Sequence, residues 1–416
     1  MKGCRHHKLA YTTIMTSERL YYHDSYTTTF TAEVVEQWEV EGKTAVILTH
    51  SFFYPTSGGQ PHDTGTLNGS DVVDVFIRKE DEAVVHLLAT PLDSQTVTGN
   101  IHWPRRFDHM QQHSGQHILS QAFIQIAKAP TVGFHLSDDS VTIDLDQENV
   151  TDDQIRAAEQ LANDIVWQDR PIHVREVSLK EAQQLALRKL PPIESGKIRL
   201  VDIENFDLTA CGGTHVSRTG GVGLIKIVKL ERRRQKLRVE FRCGGRALAD
   251  YQAKNSVTLD LGNELTTSLD DLLPTVLRLR DQLKEANRQI KQQETALMAL
   301  QAQQLLAAAE RVNGTAVITH VLEPNANLAV LANQLLEGGE TAVFLLGSGG
   351  ERSQLLFCRT PDAPGHMGQL IKQALAQLGG KGGGRPDRAQ GGGVSATSEE
   401  VAHVLAAAKK ILISNQ

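Results

Sequence analysis

The chain reads as an α+β multidomain protein: a small N-terminal β-barrel, an α+β metal-binding domain, a helical coiled-coil stalk and a C-terminal α/β globular domain. Three observations predict this order. Short runs of alternating apolar and polar residues, separated by turn residues, fill positions 26–102. Two clusters of metal-ligating side chains, His113-Ser114-Gly115-Gln116-His117 and Cys211-Gly212-Gly213-Thr214-His215, stand far apart in the chain, so folding must unite them. A seven-residue apolar repeat then occupies 256–312 and gives way to alternating strands and helices. At 416 residues the chain exceeds one ordinary domain.

Residues 1–15 read as a loose polar tail, with Met15 as an alternative start to Met1. The barrel is expected over 16–102, with strands Thr29–Val35, Thr44–Leu48, Val72–Ile77 and Ala83–Leu88. Between them lies Ser57-Gly58-Gly59-Gln60-Pro61-His62-Asp63-Thr64-Gly65. Such a glycine-rich segment is either a plain hairpin connection or a backbone that wraps a ligand.

The next domain, 103–250, begins with helical periodicity from Phe107 to Phe123. Residues four apart share a helix face, so His113 and His117 can address one ion. His109 lies four residues before His113 on the same face, and spacing alone does not decide which pair ligates. Cys211 and His215 flank a glycine turn that lets both converge. Three imidazoles and a thiolate suit tetrahedral zinc. The rest of this domain carries strand Val141–Leu145, helix Asp152–Trp167 with a cap at Thr151, strands Ile172–Val177 and Ile198–Ile203, and a hairpin over Gly223–Phe241. Helices on one face of an antiparallel sheet are expected.

Positions 226–246 hold nine Lys and Arg against Glu231 and Glu240, a local charge of +7. Arg232, Arg233, Arg234 and Lys236 at its tip are candidates for phosphate-backbone contact. In the stalk, 251–312, Leu269, Val276, Leu283, Ile290 and Leu297 recur every seven residues, and Leu272, Leu279, Ala286, Gln293 and Leu300 fall three later. Pro274 breaks the seam early; a helical hairpin or a homodimer through 256–312 and the C-terminal domain would use it. In 313–416, strands Ala316–His320, Thr341–Gly347 and Gln354–Arg359 alternate with helices Asn327–Leu336, Met367–Leu378 and Glu399–Ile413. The segment 379–393 holds eight glycines with Lys381, Arg385 and Arg388, and reads as a flexible cationic cradle for phosphates or RNA. It lacks the Gly-Lys-Ser/Thr ending of a P-loop, so no use of ATP is expected.

A 40% hydrophobic and 22% charged composition, with no apolar run of membrane-spanning length, predicts a soluble cytoplasmic chain with no membrane partner. The net charge of −6 argues against a uniformly basic nucleic-acid binder. The cysteines are too scattered for a disulfide framework; Cys243 and Cys358 read as buried apolar residues, leaving Cys211 for metal.

The two metal clusters resemble the zinc motifs of the editing domain shared by alanyl-tRNA synthetases and free-standing AlaX proteins, with a relative in threonyl-tRNA synthetases. The segment Phe53–Gly65 resembles that family's barrel loop, and the stalk with its glycine-rich segment resembles the C-terminal domain called DHHA1. The match spans roughly 16–416, with four motifs in order, and looks like the long form of AlaX. The resemblance implies that His113, His117, Cys211 and His215 hold Zn2+, to the exclusion of His109. It implies that 103–250 is a zinc-dependent tRNA editing domain and that the DHHA1-like region binds RNA or dimerises. The implied activity is hydrolysis of mischarged tRNA-Ala, chiefly the seryl and secondarily the glycyl ester. Gly58, Gly59, Gln60 and Asp63 become a substrate loop. Thr131, in Thr131-Val132-Gly133-Phe134-His135, becomes the sensor of the serine hydroxyl.

Zinc in such a site polarises an ester carbonyl or fixes the amino group or a water. Four protein ligands normally close a site, so catalysis requires the metal to expand its coordination or exchange a ligand, Cys211 foremost. Alternatively zinc only positions substrate, while the Gly212 and Gly213 N–H groups stabilise the oxyanion. Three rivals remain. A DHH-type phosphoesterase needs an Asp-His-His motif, and the chain has only Asp108-His109-Met110. A non-catalytic RNA-binding protein with structural zinc would use the same basic segments. Threonyl-type editing would act on a different tRNA.

Overall fold

The computed structural model describes residues 17–188, 196–324 and 326–414; the expected 1–15 tail and the choice between Met1 and Met15 lie outside them. The chain forms two compact units that divide at Asp260 and Leu261.

The first unit opens with β1 (Glu18–Arg19), then β2 (Thr29–Val40), β3 (Lys43–Leu48), β4 (His50–Ser51), β5 (Gly65–Leu67), β6 (Ser70–Ile77), β7 (Val84–Leu88) and β8 (Thr96–Ile101). Six of these close a barrel in the order β2-β3-β7-β6-β5-β8, so the barrel reading holds. Alternation drives it: Phe30 and Ala32 of β2 and Val97 and Ile101 of β8 point into the barrel core. Gly99 is required there because a Cβ would sit 2.5 Å from the Phe30 ring.

Helix α1 (Trp103–Ala127) follows, with proline in its first turn and a left-handed Lys128 ending it. Next come β9 (Thr131–Leu136), β10 (Val141–Leu145), α2 (Asp152–Trp167), β11 (Ile172–Ser178), α3 (Leu179–Ala182), β12 (Lys197–Ile203), β13 (Asp207–Ala210), β14 (Ile225–Arg233), β15 (Lys236–Cys243) and α4 (Gly244–Glu264). Thr151 and Gln154 form the reciprocal cap of α2. Helices α1 and α2 pack with the antiparallel sheet β14-β15-β10-β9 around one apolar core. A second sheet, β11-β12-β13, separates from it and delivers the chain to Cys211. That separation was not foreseen, because alternation marks strands without saying which sheet each joins.

Barrel and α1 are joined by a buried ion pair. The Arg106 guanidinium donates to Asp63 at 3.0 Å and to the Ser25 carbonyl at 2.8 Å, while the Tyr54 N–H donates to Asp63 at 2.6 Å. Both side chains are fully enclosed, so removing one would strand a buried charge, at a cost of roughly 3–5 kcal/mol.

The second unit comprises α5 (Leu272–Ala307), β16 (Glu310–Val312), β17 (Thr315–Leu322), α6 (Leu328–Leu336), β18 (Ala342–Ser348), β19 (Gln354–Arg359), α7 (Met367–Leu378), β20 (Lys381–Gly384), β21 (Arg388–Gly392) and α8 (Ser398–Ser414). The sheet order is β16-β17-β18-β19-β21-β20, with only β17 and β18 parallel. Helices α7 and α8 cover one face, and α6 with the end of α5 the other. Pro274 sits in the first turn of α5, where a missing N–H costs nothing, so it starts the helix rather than breaking it. Leu269, Leu283, Ile290 and Leu297 of the heptad seam are all more than half exposed.

The glycine-rich segment departs from expectation. It is an ordered edge hairpin, β20–β21, rather than a flexible cradle. Its glycines serve packing: a Cβ on Gly391 would lie 2.3 Å from a Leu375 methyl of α7. Lys381 and Arg385 are exposed, whereas Arg388 donates to the Asn333 side chain at 2.9 Å. The β14–β15 hairpin also differs from its sequence charge. Glu159, Asp152, Asp144, Asp250 and Asp108, all from outside the stretch, pair with Lys226, Arg232, Arg238, Arg242 and Arg246. Arg233 pairs with Glu231, leaving Arg234 and Lys236 as tip cations with no ion pair among the described residues. Among those residues no helix is long and apolar enough to cross a membrane.

Candidate metal centre

Helix α1 presents His113 and His117 one turn apart, and the turn after β13 brings Cys211 and His215 against them. The four ligand atoms lie within 4.8 Å of one another. Cys211 Sγ is 3.3 Å from His113 Nε2 and 3.4 Å from His215 Nε2. Ligands on a tetrahedral zinc, at about 2.0–2.3 Å from the ion, are spaced about 3.3–3.6 Å apart; the two sulfur–nitrogen distances match that spacing, and the set as a whole could hold a metal ion. Gly213 is obligatory here, because its Cβ would fall 2.1 Å from the His113 ring.

Two of the three imidazoles have the nitrogen that faces away from the cluster hydrogen-bonded, the arrangement that orients metal ligands, and the third has a carboxylate nearby. His113 Nδ1 meets Gln60 Oε1 at 2.9 Å, His215 Nδ1 meets Ser114 Oγ at 3.1 Å, and His117 Nδ1 faces Asp207 Oδ2 at 3.6 Å. The last is an ion-pair distance rather than a hydrogen bond. Arg188 neutralises Asp207 from the other side at 3.3 Å. His109, the rival ligand, lies outside the cluster; both its nitrogens are buried without a hydrogen bond, and Asp138 stands 3.6 Å off.

Electrostatics favour a thiolate. Burial pushes the Cys211 thiol up, but the three imidazoles outweigh it and hold it well below the usual thiol range. Burial disfavours protonated His117, yet the thiolate and Asp207 raise it above an ordinary histidine. His215 falls well below the ordinary value, through burial first, despite the attraction of Cys211. Cys243 and Cys358 are buried, and burial raises both thiols, that of Cys358 to about 12, so neither is a ready ligand.

His113, His117 and Cys211 of the cluster line a cleft of about 630 Å³, with Gly58, Gln116, Thr131, Phe134 and Arg188 around it. The Thr131 hydroxyl donates to Ser120 Oγ at 2.7 Å, and Gln116 Nε2 donates to the same oxygen at 2.8 Å. The expected substrate loop divides. Gly58 lines the cleft, and Gly59 packs on Phe134 and pairs with β9 through Leu136. Gln60 and Asp63 do not line the cleft: Gln60 turns to His113 and Thr214, and Asp63 pairs with Arg106. The Gly213 N–H points to the Cys211 sulfur at 3.4 Å, which occupies the donor assigned to an oxyanion; Gly212 is exposed. Ser114, Asp207, Ser120 and Arg188 were missed from sequence. Ser114 lies inside the His-x-x-x-His pentad, and that position was its only signal.

Three buried histidines and a half-buried cysteine on an α+β domain joined to a β-barrel make a candidate metal centre beside a cleft. Residues 198–240, which include Cys211 and His215, match the family described as the threonyl and alanyl tRNA synthetase second additional domain. Residues 314–414 match the DHHA1 domain. The chain is 32% identical over 401 residues to the alanyl-tRNA editing protein AlaX-L of Pyrococcus horikoshii, covering 92% of this chain and 96% of that protein. It is 31% identical over 351 residues to the alanyl-tRNA editing protein Aarsd1-B of Xenopus laevis, covering 83% and 84%. It is 30% identical over 387 residues to the alanine–tRNA ligase of Pyrococcus abyssi, covering 89% of this chain but 41% of the ligase. The chain belongs to the alanyl-tRNA editing protein family.

Proposed function

We propose that this chain hydrolyses the ester of mischarged tRNA-Ala, removing serine chiefly and glycine secondarily, at a zinc centre held by His113, His117, Cys211 and His215. The observation that carries this is the convergence of those four residues, three of which, His113, His117 and Cys211, line a cleft that Thr131 also lines. Two relatives that match over most of their length are named alanyl-tRNA editing proteins. Bound zinc would supply a Lewis acid beside the ester and an anchor for the substrate amine.

The chain's own residues orient and select. Thr131 gives its proton to Ser120, so its oxygen lone pairs are left to accept from a substrate hydroxyl. Serine offers that donor and alanine does not; unmatched buried polar groups give discrimination up to about 10⁴-fold. Phe134 stacks on His113 with ring centroids 5.2 Å apart and closes the cleft beside the metal. Arg234, Lys236, Lys381 and Arg385 are the exposed cations best suited to tRNA phosphates. The exposed heptad face of α5 would serve a homodimer, and work on tRNA suits a cytoplasmic location.

The test is deacylation of Ser-tRNA-Ala by the full chain, with Ala-tRNA-Ala as control and zinc measured on the same sample. Rapid loss of serine, alanine spared, and one zinc per chain are expected. Zinc without deacylation would favour a non-catalytic RNA-binding protein.

A further inference from the structure

We infer that Gln60, contributed by the barrel, is a positioning residue for the metal centre, fixing His113 as the tautomer whose Nε2 faces Cys211. The proposal rests on the metal reading of the site.

Gln60 is completely buried and its amide makes three contacts. Its Oε1 accepts from the Thr214 backbone N–H at 3.2 Å and lies 2.9 Å from His113 Nδ1; its Nε2 donates to Thr214 Oγ1 at 2.8 Å. The backbone N–H of Thr214 can only donate. The amide atom facing it must therefore be the oxygen, since the reverse orientation would set two donors head to head. An oxygen beside His113 Nδ1 requires that nitrogen to carry the proton. The lone pair is then on Nε2, the nitrogen 3.3 Å from Cys211 Sγ. One amide thus fixes a ligand on α1 and pins the middle of the turn bearing the other two ligands.

The other partners do not impose this logic. Ser114 Oγ already accepts from Val216 N–H, and its hydroxyl can still donate to or accept from His215. Asp207 stands farther from its imidazole than a hydrogen bond allows. Gln60 itself is held by the loop: Ser57 and Gln60 exchange backbone hydrogen bonds at 2.9 and 3.1 Å, and the Tyr54 hydroxyl donates to the Ser57 carbonyl at 3.1 Å. The barrel is in this way part of the metal centre, although it supplies no ligand.

The experiment uses the full chain, stripped of metal and reloaded with zinc. Zinc affinity is read by competition with a chromophoric chelator, and imidazole tautomers by ¹⁵N NMR of the histidine-labelled, metal-free protein, where no metal imposes the tautomer, with His113 assigned from a His113→Gln variant. In the wild type the His113 Nδ1 signal should be that of a protonated nitrogen. Gln60→Leu should weaken zinc about 10–100-fold, the range for loss of such a partner, and should release the tautomer. Gln60→Glu keeps both acceptor contacts and should retain tautomer and affinity within a few-fold. A Gln60→Leu protein with wild-type affinity and tautomer overturns the proposal. So does a folded Gln60→Glu protein that loses zinc as badly as Gln60→Leu, which would show a purely structural role; the Glu variant decides if the Leu variant does not fold. Wild type that binds no zinc would instead defeat the metal reading.

Discussion

His109 and His113 stand one turn apart on the same helix and are nearly equally buried, at 0% and 3% exposure. They nevertheless differ in every respect that matters for chemistry. His113 has a thiolate on one nitrogen and an amide oxygen on the other. His109 has no hydrogen bond on either. Burial therefore does not single out the cluster histidines, and neither does a carboxylate 3.6 Å from a ring nitrogen, which His117 and His109 both have; what sets His109 apart is that its nitrogens lie outside the four-atom cluster. His113 differs further in having its far nitrogen hydrogen-bonded, which places its proton.

The comparison can be broken most severely at the cluster itself. Cys211→Ala removes the one anionic ligand and leaves three buried imidazoles; zinc should be lost and Ser-tRNA-Ala deacylation should fall by about 10³-fold or more, in the range of losing a central catalytic group. Single-turnover deacylation with metal analysis of the variant checks this. A smaller effect is expected at the partner of His117. Asp207→Asn keeps the shape but removes the carboxylate charge 3.6 Å from His117 Nδ1, and zinc affinity should drop by about 10-fold, at the low end for such a partner, read by the same chelator competition.

The mildest change is expected at His109, where burial pulls the imidazole down from 6.5 to about 4. Such a group is neutral in the fold, while the unfolded chain takes up its proton first as the pH drops. Its contribution to stability is complete above about pH 6.5 and is lost progressively as the pH falls towards 4, by about 3 kcal/mol at most. His109→Leu should leave zinc content unchanged and deacylation within about two-fold. It should also flatten part of the acid loss seen in urea unfolding between pH 7 and 4.5. His86, buried in the barrel and also held at about 4, accounts for a further share and serves as the internal reference.

The metal ligands were legible because their pairs are local: spacing of four residues puts two side chains on one helix face or across one turn. The choice between His109 and His117 as the partner of His113 was not, since both stand four residues from it. The orienting groups were illegible for the opposite reason. Gln60 and Asp207 belong to other elements, and nothing in Gly58-Gly59-Gln60 says that its amide turns inward while Gly58 alone lines the cleft. Asp63 was misplaced likewise, because its partner Arg106 is remote in sequence. The barrel was readable from alternation, although β5, only three residues long, and β8, which carries Gly99, were not. The basic hairpin looked bare in sequence because its neutralising carboxylates come from α2, β10, α1 and α4. The glycine-rich segment looked flexible because composition does not reveal that α7 packs against its Cα atoms.

The most direct test of the account is a zinc titration of metal-free protein, with Ser-tRNA-Ala deacylation measured at each addition. Activity should rise linearly and stop at one zinc per chain, with no recovery in Cys211→Ala. Full deacylation by the metal-free protein would contradict the central claim that this three-histidine, one-cysteine centre carries the activity.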